Sequence, residues 1–442
     1  MATTYLTQTT TAGSMVLWTW SAWVKRSAVR STEQNIFTGY NAATDYTEVR
    51  FDTSDRLNFQ NKVAGSFAGE LQTRRVFRDS GWYHIVIVWD TGNATGDDRM
   101  RMYINGVRET VFTGTDIPTL NKDSNIGEAS IPTHIGSFAT GSNFFDGLMS
   151  DICFIDGQAL APTSFGETDP DTGEWKPISI TASSFTWGTN GYMILKNGST
   201  ITDQSSNSNN FTLGAGTLTN TLDCPSNVFA TWNPLNEINR STVGQNEYID
   251  GNTNLDTANN SNQFHGSSTL GMTSGKYYAE FKMKSGAKNL VGITSQAQID
   301  AEQTRYVGFA DKTYGLYSND GSIKTNNVDY TYAASYTTPN VIGCAVDLDN
   351  NKIYFSKDGV WATGSGAWGS STFDSSIGAY VISDVSSTVD GAYFFAMGDT
   401  DTLTYGTFSA NFGNGYQGTT AVSGGTAGST PGVFEFDVPS GY

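Results

Sequence analysis

The nearest approach to a catalytic pattern in this chain is Glu48-Val49-Arg50-Phe51-Asp52. Cleaving a glycosidic bond takes two carboxylates, one as acid and one as base or nucleophile. In a strand, Glu48, Arg50 and Asp52 share one face. No third carboxylate follows at a useful spacing, so the run is expected to be a strand edge turned to solvent. His84, His134 and His265 are dispersed. His84 sits in an apolar alternating run, where a satisfied core or interface imidazole fits better than a base. No nucleophile elbow, catalytic triad order, P-loop or G-x-G-x-x-G occurs in the strand–turn–helix setting its chemistry requires. The glycine-rich stretch 413–432 lacks the strand and helix that would cradle a phosphate. These absences lead to the expectation that the protein is not an enzyme.

Binding chemistry has better candidates. Trp361 and Trp368 flank a glycine-rich loop, and Tyr306, Tyr314 and Tyr317 precede it. Sugars stack on aromatic faces, and interface hot spots favour Trp and Tyr. Trp368, set among glycines, is the better exposed candidate, and Trp361 also fits core packing. The ligand-binding set is therefore Trp368, Trp361, Tyr306 and Tyr317. No resident cofactor is expected. Calcium is the alternative that acidic loops leave open, with Asp97, Asp98 and Asp146 as its ligand candidates. Asp146-Gly147 and Asp156-Gly157 equally read as turn pairs.

The elements that must carry these residues are strands. Val16, Trp18, Trp20, Ala22 and Val24 alternate on one face, as do the apolar residues of Gly81–Asp90. Arg99–Gly106 closes on Asn105-Gly106, a hairpin turn signal. Ala161-Pro162 and the next few residues predict one helical turn. The run 341–359 alternates through Ile342, Cys344, Val346 and Leu348, turns at Asp349-Asn350-Asn351, and returns through Ile353 and Phe355 to Asp358-Gly359. Ser295–Thr304 is the one helix candidate of the second half. With 48 glycines and 13% aromatics, the chain is expected to be all-β, as two tandem antiparallel jelly-roll-type sandwiches joined by a short bridge. The segments are 1–166, a sandwich; 167–227, the bridge; 228–413, a second sandwich; and 414–442, a Gly/Thr/Ser-rich tail. Gly432–Val438 is expected to pair as a last strand, in the chain or on a neighbour.

A net charge of −18 repels a phosphate backbone and anionic lipid, which excludes nucleic acid as a partner. No run of about 18 apolar residues predicts membrane insertion. The N-terminus has no basic stretch followed by an apolar one, so no signal peptide is expected, in keeping with synthesis in a cytoplasm. Cys153, Cys224 and Cys344 are far apart and read as free thiols, suited to a reducing compartment.

Some of these runs carry a resemblance. WTWSAWVK, GWYHIVIVWD, RMYINGV, HIGS and FFDGLMSDICFID, in that order, resemble the laminin G-like, concanavalin A-type jelly roll across residues 1–166. GKYYAEF, VGIT, YGLYSNDG, VIGCAVDLDNNKIYFSKDG and FSANFG resemble a SPRY domain over 228–413. The tandem, with CPSNVFATWNPL between, resembles virion proteins of tailed bacteriophages. That resemblance implies a fibre or adhesin-type protein on the virion surface, mediating host attachment through a host surface glycan or protein. Its alternative is a head decoration or other structural protein that binds neighbouring virion proteins. It also implies a homo-oligomer, a trimer being the form expected of an appendage. The concanavalin-like fold hosts glucanases too, but their E-x-D-x-x-E run is absent here.

Overall fold

The computed structural model describes residues 3–27, 32–139, 141–238, 247–256, 264–295, 306–400, 406–426 and 432–442. It is all-β. Among these residues the only helical elements are 3-10 turns at Gly96–Asp98, Pro162–Ser164 and Val385–Ser387. None is long and apolar enough to cross a membrane. The chain divides into two units: residues 1–220 with 224–228, and residues 221–223 with 229–442.

The first unit packs an eight-stranded sheet on a six-stranded one. The larger sheet runs in the order Phe112–Asp116, Ser66–Val76, Arg56–Val63, Asp45–Phe51, Gln34–Ala42, Pro132–Ile135, Tyr5–Thr9 and Thr212–Ala215. The smaller runs Tyr192–Ile194, Gly147–Asp156, Leu17–Arg26, Trp82–Asp90, Met100–Ile104 and Val107–Arg108. Alternation sends Trp18, Trp20, Ala22 and Val24 inward against Phe37, Val49 and Phe59, as the sequence predicts. The Asn105-Gly106 turn has both residues at positive φ, 48° and 79°, the geometry of a tight hairpin.

Strand Trp82–Asp90 is apolar on both faces for a structural reason. Ile85, Ile87 and Trp89 join the inner core, while Val86 and Val88 join a second core with Cys153, Ile155, Phe165, Ile180 and Trp187. That second core corrects the expected bridge: residues 160–195 seal the outer side of the six-stranded sheet. Tyr192–Ile194 then pairs with Gly147–Asp156, and Thr212–Ala215 with Tyr5–Thr9. Most of 167–227 therefore belongs to the first unit.

The second unit pairs a seven-stranded sheet with a nine-stranded one. The hairpin 341–359 forms as Val341–Asp347 and Lys352–Lys357, in register from Ile342↔Lys357 to Asp347↔Lys352. Ile342, Cys344, Val346, Ile353 and Phe355 face the core with Phe281, Ile293, Phe395 and Phe408. The helix candidate Ser295–Thr304 lies outside the described residues except for Ser295, which ends strand Asn289–Ser295. The tail differs from its expectation. Residues 432–442 form no ladder; they meet the unit through one bridge, Asn414↔Val433, and through buried Phe434, Val438 and Tyr442.

Candidate functional site

Alternation along Asp45–Phe51 sends Val49 and Phe51 into the core and leaves Tyr46, Glu48 and Arg50 on the opposite face. Strand pairing carries that phase sideways. His134, Thr38, Glu48, Gln60 and Glu70 stand opposite one another in a row. Asn35, Arg50, Asn58 and Gln72 form the next row, and Tyr40, Tyr46, Lys62 and Phe67 form the row on the other side. At the usual strand spacing the row from His134 to Glu70 crosses about 19 Å of sheet.

Glu48 is fully buried at the centre of this face, not on a solvent-facing edge as its sequence pattern suggested. Its carboxylate accepts from Asn35 Nδ2 and Gln60 Nε2 and pairs with Arg50 Nε at 3.3 Å. Burial pushes its pKa up, and Arg50 partly opposes that. A carboxylate with no exposed surface cannot reach a substrate, so Glu48 organises hydrogen bonds rather than moving protons. Asn58 Nδ2 donates to Glu70 at 3.1 Å, and Gln72 Nε2 donates to Asp52 at 2.9 Å.

The amide nitrogens are thus committed, and the carbonyl ends are left over. Asn35 Oδ1, Asn58 Oδ1 and Gln60 Oε1 are buried and meet no protein donor, and neither ring nitrogen of His134 has a partner. Burial holds His134 neutral, its pKa down to about 4. A buried acceptor without a donor costs about 1–3 kcal/mol, so these positions are suited to ordered water beneath the surface. Around it the rim is accessible. Phe67 is 43% exposed, and Arg50 and Glu70 are half-buried. Lys62 Nζ lies 5.5 Å over Tyr46 and 4.7 Å over Phe67, while Phe138 meets Tyr46 edge-on at 4.8 Å. The face offers a fixed polar floor beside an aromatic wall. Period-two polar residues in adjacent strands were the available signal for it, but sequence alone does not say which strands are neighbours.

His84 is a core group. Trp175 Nε1 donates to its Nδ1 at 2.9 Å, which puts its proton on Nε2 beside Ser21 Oγ at 2.9 Å. Trp23 stacks on the ring at 4.8 Å. Burial lowers its pKa to about 3.

The aromatic candidates of the second unit do not come together. Trp361 is buried on the outer side of the nine-stranded sheet with Tyr278, Tyr354 and Phe434. Trp368 is half-buried nearby in sequence, with Lys357 Nζ 5.3 Å over its ring. Tyr306 and Tyr317 lie on the outer side of the other sheet, against Leu290, Val307 and Ala396. Both rings face Lys324 Nζ, at 5.9 and 4.4 Å. Opposite sheets therefore separate the two pairs. Among the acidic candidates, Asp98 pairs with Arg108 at 2.7 Å, and Arg108 also donates to the Asp97 carbonyl. Asp146 is buried within the field of Arg26. Among the described residues no three His, Cys, Asp or Glu side chains converge on a common point. All three cysteines are free.

Comparison with known proteins fits the two units. Residues 3–164 match the concanavalin A-like lectin/glucanases superfamily, and residues 276–378 match the SPRY domain. The Ran-binding proteins 9/10 homolog of Drosophila melanogaster is 35% identical over 88 residues, which are 20% of this chain and 9% of that protein. The chain thus spans under a tenth of that relative's length. The SPRY domain of human HERC1 is 13% identical, covering 40% of this chain and 96% of that one, with a TM-score of 0.30. A SAP-like pentraxin from Limulus polyphemus is 20% identical, covering 36% of this chain and 72% of that one, with a TM-score of 0.26. The chain carries a concanavalin A-like domain followed by a SPRY domain, both of them β-sandwiches.

Proposed function

We propose that the protein is a non-enzymatic binding protein of a phage virion surface. In this reading the polar face of its concanavalin A-like domain holds a host surface glycan. The observation that carries the reading is the exposed Phe67 ring, with Lys62 Nζ 4.7 Å over it, beside the half-buried Arg50 and Glu70 on a pre-ordered polar face. Glu48 fixes the Asn35 and Gln60 amides beneath these groups before any ligand arrives, and such pre-organisation lowers the entropic cost of binding. Sugar hydroxyls bond the half-buried Arg50 and Glu70, and Phe67 supplies a stacking surface. The virion setting rests on the tandem order of the two domains.

The test is binding of the intact protein to isolated host envelope polysaccharide by calorimetry. Glu70→Ala removes a polar rim group and Phe67→Ala removes rim surface; each is expected to weaken binding about tenfold or more. Failure of the wild-type protein to bind any host polysaccharide would defeat the reading.

A second reading has its own support. SPRY domains serve protein–protein interaction, and the match over 276–378 favours a protein partner for the second unit. On a virion this partner is a neighbouring structural protein, as in a head decoration. Gold-labelled antibody on intact particles separates the two: label at the tail favours attachment, and label over the head favours decoration.

A further inference from the structure

The outer side of the nine-stranded sheet carries Tyr278, Glu280, Ala345, Tyr354 and Trp361. Residues 432–442 lie on it. Phe434, Val438 and Tyr442, four residues apart, are buried there. Phe434 meets Tyr278 edge-on at 4.9 Å, and Tyr442 takes Phe373 at 5.7 Å and Lys276 Nζ at 5.1 Å. Phe436 rests on Gly359, where a Cβ would stand 2.8 Å from its ring. The backbone is gripped separately. The N–H groups of Glu435 and Phe436 donate to the buried Glu280 carboxylate at 2.8 and 2.9 Å, and Asn411 Nδ2 donates to the Val433 carbonyl at 2.9 Å. On its far side the strap bonds residues 425 and 426.

Main-chain capture combined with spaced side-chain pockets is how folded domains hold extended peptides. We propose that this face is a docking groove for an extended segment, that residues 432–442 occupy it as a built-in ligand, and that the partner it fits is a second copy of this chain offering the same segment. The groove and its fitting segment are both seen, so the complementarity needs no outside partner. Tethering gives the chain's own strap an effective concentration near the millimolar range. Exchange therefore shows when that strap is weakened or when copies are packed densely, as on an ordered assembly. The proposal is independent of the glycan reading, which concerns the other unit.

The test uses the intact chain with Phe434→Ala and Tyr442→Ala, which loosens its own strap, and a labelled synthetic peptide of residues 432–442 standing for the second copy. Fluorescence anisotropy should show saturable binding at least tenfold tighter than to the wild-type chain, lost when Glu280→Ala is added. A loosened chain that keeps its near-ultraviolet circular dichroism yet binds no peptide overturns the proposal. So does equal binding of a peptide lacking both aromatic anchors. Should the loosened chain not fold, hydrogen exchange on the wild type decides. The Glu435 and Phe436 amides should exchange at least tenfold faster than those of strand Lys276–Ser285 beneath. Equal protection would make the strap an inseparable part of the fold and sink the idea.

Discussion

Glu280 makes the second unit sensitive to pH in an uncommon direction. Burial is the main cause that raises its carboxyl to about 7, and the Glu435 and Phe436 amides and the Tyr278 hydroxyl only partly oppose it. In the unfolded chain a glutamate titrates near 4.5. Between those values the folded state holds a proton that the unfolded state has released. Stability from this group is therefore complete below about pH 4.5 and is lost as pH rises through 7. A gap of about 2.5 pKa values corresponds to about 3 kcal/mol. Glu280→Gln removes the titration while keeping one acceptor for the strap. Denaturant-dependent hydrogen exchange on fragments containing Lys276–Ser285 reads this unit by itself. The stability difference, wild type minus variant, should fall by about 3 kcal/mol between pH 4.5 and 8. Subtracting the variant cancels other titrations, including that of buried His265. A difference that stays flat across that range would show that the carboxylate is solvated and that the strap does not seal it.

Buried groups elsewhere give further expected outcomes. His84 and His134 have their pKa values lowered, so their contributions have the opposite sign: acidification from pH 6.5 to 5 should cost the first unit about 3 kcal/mol through the two together, read by hydrogen exchange in Trp82–Asp90. Trp361→Ala should destabilise the second unit by about 3–5 kcal/mol in denaturant titrations and leave polysaccharide binding unchanged, because the ring is packed rather than presented. Gly292→Ala should cost roughly 3 kcal/mol or more, since its Cβ would run into the Tyr314 carbonyl across the strand pair; wild-type-like melting would show that the strands separate easily.

Strand identity was legible because alternation records which side of a strand meets a core. The core-facing side of the hairpin 341–359 and of Gly81–Asp90 was readable on that basis. Alternation does not record what covers the other side. Val86 and Val88 are covered by residues 160–195, and Trp361 by a strap more than seventy residues downstream. Neither cover announces what it lies against, so the first looked like a bridge and the second like a last strand waiting for a partner. The polar face had the reverse problem. Glu48 and Arg50 have the pattern of solvent-facing residues, and only the pairing with Asn35, Asn58 and Gln60 turns them into an enclosed floor. Tyr306 and Tyr317 did converge, but on Lys324 and away from the tryptophans, because they belong to the opposite sheet.

The pairing of Tyr5–Thr9 with Thr212–Ala215 has a mechanical meaning. The strands are antiparallel with Tyr5 opposite Ala215, and Thr4 also bonds the Thr217 carbonyl. The chain therefore enters and leaves the first sandwich at adjacent points. Tension applied across those points pulls the two strands apart one hydrogen bond after another, instead of shearing them all together. The load is carried by the outermost strand pair rather than by the core around Trp18 and Trp20. Under stretching, Thr212–Ala215 should peel away at low force while the rest of the sandwich keeps its shape, lengthening the chain without disturbing the core.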